Sequence, residues 1–80
     1  MNWFEEKRKQ NKLTLKQQAY DCGVSQSSIV QYEKMVAMPR TTGKGFAKVA
    51  SGYRVTTEEL EEVILRYSRQ IRSGKTKRNK

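Results

Sequence analysis

Only Gly23 and Val24 stand between two stretches that each carry the marks of a helix, and no other spacing restricts the fold of this chain so strongly. The first stretch opens after Thr14, whose hydroxyl can cap a free backbone N–H of the first turn. It closes at Gly23, a residue that tolerates the left-handed backbone on which helices often end. The second opens at once, capped by Ser25, with Val24 and Ile29 placed as a hydrophobic staple across the cap. So short a join forces a sharp corner. At 100° per residue, Leu15, Gln18, Ala19 and Cys22 share one face of the first helix, and Ser28, Ile29, Tyr32 and Glu33 share one face of the second. The small Ala19 and Ser28 let the two helices approach closely.

The rest of the chain is punctuated in the same way. Pro39 is the only proline, the five glycines fall between apolar stripes, and no alternating pattern is long enough for a strand. A helix is predicted over residues 2–10 and another over 43–51 with Phe46, Val49 and Ala50 inward, closed by Gly52. The last helix starts at a capping box of Thr56 and Glu59, with glutamates at the positive end of its dipole and arginines toward the negative end. Its apolar stripe is Leu60, Val63, Ile64, Tyr67 and Ile71. From Ser73 the segment SGKTKRNK is polar and basic, and is expected to be a flexible tail. The expected architecture is therefore all-α, five helices in one domain over residues 1–72, with the corner and its helices at 14–34 and the tail at 73–80.

Seventeen basic residues against eight acidic ones give a net charge of +9, which suggests a polyanionic partner, nucleic acid before an acidic membrane. The charge is segregated: Arg40, Lys44, Lys48 and Arg54 lie in an acid-free stretch, Glu58, Glu59, Glu61 and Glu62 open the last helix, and the final stretch from Arg66 is basic throughout. Such a molecule should meet a polyanion in one orientation. With no histidine and a single cysteine, a zinc site is excluded and no internal disulfide can form. No cofactor is expected. No apolar run is long enough to cross a bilayer and no signal peptide is recognised, so a cytoplasmic address is expected. Cys22 reads as a small core residue because no histidine could activate it. TTGKG lacks the first glycine of a phosphate loop, Met38 standing there instead.

The outward face of the helix after the corner carries Gln26, Ser27, Val30, Gln31 and Lys34. Glutamine can present a paired donor and acceptor to adenine, serine can bond either kind of edge group, and an aliphatic chain can touch a thymine methyl. A neutral helix of this kind reads base edges, while surrounding lysines and arginines hold phosphates. Two helices meeting at a tight corner, the second entering the major groove, is the helix-turn-helix layout.

At these residues the chain resembles the Cro/lambda-repressor helix-turn-helix family, of the xenobiotic-response-element type. LTLKQQAYDCGVSQSSIVQYEK matches its pattern at Leu13, Thr14, Ala19, Gly23, Val24, Ser25, Ile29 and Glu33, and FAKVASGYRVTTEEL resembles its fourth helix, turn and fifth-helix start. The resemblance covers about residues 4–65. It implies a lambda-repressor-like fold, base contacts from Gln26, Ser27 and Gln31, to which the helix face itself adds Val30, and a structural pair of Arg8 with Glu33 bracing the first helix against the third. It also implies phosphate contacts from Arg40 and Lys44, with Lys34 beside them. Where the family opens its second helix with a phosphate-clamping glutamine this chain has Leu15, so Lys16 or Gln17 must substitute; Gln18 and Lys7 fill positions that are usually leucine. Tyr67 and Ile71 extend past the usual domain length and are expected at a dimer contact.

The expectation from sequence is a non-enzymatic, sequence-specific regulator of transcription in a bacterium, phage or mobile element, bound to double-stranded DNA as a homodimer. Two other readings fit the same fold. One is a protein-binding module, antitoxin-like or an inhibitor of a nucleoprotein. The other is an accessory DNA-binding factor of recombination or conjugation.

Overall fold

Four N-terminal caps and four left-handed stops divide the chain. A computed structural model describes the backbone of residues 2–78 and the side chains of residues 2–70. The helices are α1 (Trp3–Gln10), α2 (Leu15–Cys22), α3 (Gln26–Glu33), α4 (Gly45–Gly52) and α5 (Thr57–Arg78), with no strand among the described residues. Asn2, Thr14, Ser25 and Thr56 each accept a backbone N–H with a side-chain oxygen at the start of α1, α2, α3 and α5. At α2 the box is reciprocal, because Gln17 Oε1 accepts from Thr14 N at 3.0 Å. Lys44 before α4 makes no such bond. That helix begins two residues later than the sequence predicts, since Gly43 sits at φ +85°, outside the helical region.

The stops follow one rule. Lys12, Gly23, Met35 and Arg54 take φ of 57°, 70°, 59° and 61° just after α1, α2, α3 and α4. In each case the next residue, Leu13, Val24, Val36 or Val55, donates back to a carbonyl five positions earlier, at 2.9–3.1 Å. These are Schellman closures, which satisfy carbonyls left open at a helix end. Only α2 uses glycine for the turn. The other three place a side chain where backbone crowding costs roughly 1 kcal/mol.

The core is built on aromatic rings from both ends of the chain. Phe4 is fully buried, with ring centroids of Trp3, Tyr53, Tyr32 and Tyr67 at 5.0, 5.3, 5.5 and 6.1 Å. Tyr67 also accepts the Trp3 backbone N–H at 3.0 Å, which closes α1 onto α5. Ala19, Cys22, Ile29, Val49, Ala50, Leu60, Val63 and Ile64 complete the buried cluster. Tyr53, in the turn between α4 and α5, is the largest wholly buried side chain. Its hydroxyl finds no hydrogen-bond partner, and burial pushes its ionisation well above the ordinary tyrosine range. Tyr53→Phe should therefore stabilise the fold by about 1 kcal/mol, because an unpaired buried hydroxyl is worse than none. Urea unfolding of the two proteins checks this, and a loss of more than 1 kcal/mol would show that the hydroxyl is partnered.

The seam between α2 and α4 is the most extensive helix contact. Gly52 lets the backbones meet there: a methyl on it would overlap Cys22 Sγ and lie 2.8 Å from Cys22 N. Gln18, wholly buried, donates through Nε2 to the Gly52 carbonyl at 2.7 Å and to Cys22 Sγ at 3.3 Å. This explains a polar residue where the resemblance leads one to expect leucine. The last carbonyls of α4 have no partner within the helix, and the Gln18 amide reaches one of them across the seam. Cys22 in turn donates to Val49 O at 3.6 Å. Burial pushes the Cys22 thiol up to about 11, an effect that the Gln18 amide only partly opposes, so the group remains a neutral donor near pH 7.

Helix α5 continues through Arg78, past the Ser73 at which the sequence suggests a flexible tail. The segment is rich in arginine and lysine, which are good helix formers, and it extends a helix already nucleated, so adding residues is easier than starting anew. Residues 79–80 of the expected tail lie outside the described residues. Among the described residues, no helix is long and apolar enough to cross a membrane, and no group of three or more metal-binding side chains occurs.

Candidate nucleic-acid interface

Helix α3 is held firmly from behind. Arg8 of α1 grips Glu33 with two bonds, Nε to Oε2 at 2.6 Å and Nη2 to Oε1 at 3.2 Å, and its Nη1 donates to Leu13 O at 3.1 Å. Both side chains are largely buried, at 14% and 10% exposure. The hydrogen bond to Glu33 raises the Arg8 pKa above its already high ordinary value, so the guanidinium stays charged throughout the useful pH range. A second tie runs from Asn2 Nδ2 to Tyr32 O at 2.8 Å. The resemblance implied the Arg8–Glu33 pair, and the structure forms it.

The pairing has an electrostatic consequence for the opposite side of the helix. Glu33 is the only ionisable acid in α3, and it is turned inward to Arg8. The outward face is left with Gln26, Ser27 and Gln31, all exposed, and the half-buried Val30, followed by exposed Lys34. The Ser25 hydroxyl lies 3.1 Å from Ser27 Oγ and 3.0 Å from Ser28 Oγ, so the first turn carries a small hydroxyl cluster. Apart from Val30 the α3 residues of this face are polar, none of them is charged, and Lys34 adds a cation at its end.

A groove of about 580 Å³ runs beside it, bounded by Ser28 and Gln31 of α3, Arg40 and Thr42 of the following loop, and Lys48 of α4. Met38, Pro39 and Phe46 line the same groove. The loop is exposed from Arg40 through Gly45, and no acid occurs between Glu33 and Glu58. The structure thus brings Gln31 and Arg40 together. It places exposed Lys16 and Gln17 elsewhere, around a separate depression with Leu13, Tyr20 and Asp21. Gln17 has its Oε1 committed to the Thr14 cap, which leaves Nε2 as its outward donor. Lys44 is exposed at the start of α4 and does not line the groove.

Two features were not foreseen. Lys48 counted toward the charge of the sequence but not toward the site; no local pattern marks it, because its place depends on the distant corner at Gly23. The apolar surface also differs from expectation. Tyr67, read as a dimer contact, is packed within its own chain against Trp3 and Phe4, and the Ile71 side chain lies outside the described residues. Among the described residues, the large apolar side chains that do face solvent are Tyr20, Val36 and Leu65, at 84%, 66% and 54% exposure.

No family model, no curated protein and no solved structure matches this chain.

Proposed function

We propose that this protein is a helix-turn-helix regulator of transcription that binds double-stranded DNA in a sequence-specific manner. In this reading α3 enters the major groove, Gln26, Ser27, Val30 and Gln31 meet base edges, and Lys16, Gln17, Lys34, Arg40 and Lys44 hold the phosphates. The observation that carries it is the burial of Glu33 against Arg8. An acid on a helix entering DNA would be repelled by the phosphates; here it is neutralised and serves to brace the helix. The segregated charge and the resemblance described above point the same way. The protein would act in the cytoplasm of a bacterium, on a chromosome, phage or mobile element, as a dimer over two half-sites.

Two substitutions separate the roles. Gln31→Ala should lower discrimination at one base pair by ~1–3 kcal/mol. Arg40→Ala should weaken cognate and random duplex alike and reduce the salt slope by about one. Equilibrium binding on both duplexes at several salt concentrations measures the two effects, and identical behaviour of the two variants on both duplexes would refute the assignment.

The exposed Val36 and Leu65 favour a second reading, a module that binds another protein. They border a groove between the loop at residues 36–42 and α5, on Ile64, Leu65 and Ser68. Duplex binding that never exceeds non-specific strength, together with saturable binding to a protein, would select that reading.

A further inference from the structure

We propose that Lys48 is a phosphate anchor of the DNA interface, held in place by the glycine at the helix corner. The inference rests on the proposed DNA-binding role and assigns a residue to it that neither the motif nor its charge had marked. Its basis is the packing at Gly23. A methyl group on that residue would lie 3.2 Å from Lys48 Cγ, 3.3 Å from Cε and 3.8 Å from Cδ, so the lysine stem lies flat across the corner between α2 and α3. Gly23 therefore does two things: its φ of +70° turns the chain, and its bare Cα makes a seat for the stem.

A lysine seated along its stem differs from one waving in water. One side of its carbon stem rests on the backbone while its ammonium stays hydrated, and fewer rotamers are lost when it meets an anion. Lys48 also stands where such an anion would be. It lines the groove that holds Gln31 and Arg40, so a backbone phosphate beside a base read by Gln31 would lie between two cations. None of the ion pairs among the described residues uses Lys48.

The test is duplex binding as a function of salt for the wild type, Lys48→Met and Lys9→Met. Methionine keeps an unbranched stem on Gly23 and removes the charge, so the fold, followed by circular dichroism, should be retained. Lys9 lies on α1, paired with Glu5 and outside the groove, and its substitution removes the same charge. The expected result is a slope of log K against log salt smaller by about one for Lys48→Met, on cognate and random duplex alike, with the Lys9→Met slope unchanged. An unchanged slope for Lys48→Met while the wild type binds duplex overturns the assignment of Lys48 alone. An equal drop for both variants also overturns it, by reducing the effect to net charge. A wild-type protein that fails to bind duplex at low salt overturns the DNA-binding reading itself, and this inference with it.

Discussion

Gly52→Ala is expected to destabilise the protein by about 3 kcal/mol, although alanine is the better helix former. The added methyl would meet Cys22 Sγ, Cys22 N at 2.8 Å and the Asp21 carbonyl carbon at 2.9 Å. Two of these three atoms are backbone of α2, and no rotamer change can move them. The helices must separate along their largest seam, and the Gln18 to Gly52 hydrogen bond lengthens with them. Overpacking of this kind costs roughly 1–3 kcal/mol and the strained bond about 1 more, against a helix-propensity gain of under 1 at the last residue of α4. In a domain of this size the melting temperature should fall by on the order of 15 °C. Thermal unfolding followed by circular dichroism measures it. Pairing the change with Cys22→Ala should recover only part of the loss, because the backbone contacts remain. A melting temperature within 3 °C of wild type would show that α2 and α4 are not packed this closely.

Arg8→Ala should cost about 3 kcal/mol for a different reason. It leaves the Glu33 carboxylate largely buried without its cation and removes a donor from Leu13 O. Glu33→Ala should cost about as much, since it strands the guanidinium. The double variant should be less destabilised than the sum of the two by at least ~1 kcal/mol, as expected for groups in contact. Strictly additive losses in urea unfolding would mean that the two side chains act independently. The pair also bears on binding. A helix braced by Arg8 and Asn2 presents its outer face in one orientation, so Arg8→Ala should weaken duplex recognition beyond what its fraction unfolded explains.

Much of the architecture was legible in the residues. Thr14, Ser25 and Thr56 marked three helix starts because a hydroxyl just before an apolar stripe has one favourable local use, and Gly23 marked the corner. The outward position of Gln26, Ser27 and Gln31 followed from helical periodicity alone. The helix ends at Lys12, Met35 and Arg54 could not be read the same way. These residues lack the freedom of glycine; what the three turns share is the hydrogen bond that the following residue returns to the helix, and only Val55 adds packing against the core. The place of Tyr53 was hidden for a similar reason: a tyrosine next to an arginine in a turn looks exposed until Phe4 and Trp3, about fifty residues away, close over it.

The sequence by itself determined the helices, the corner and the separation of charge, because caps, periodicity and Coulomb repulsion act between near neighbours. Only the tertiary structure decided what fills the centre, why position 18 holds glutamine, and where Lys48 lies. Each of those depends on a contact between distant segments, such as Gln18 with Gly52 or Gly23 with Lys48, and local propensity carries no information about which distant surface will be there.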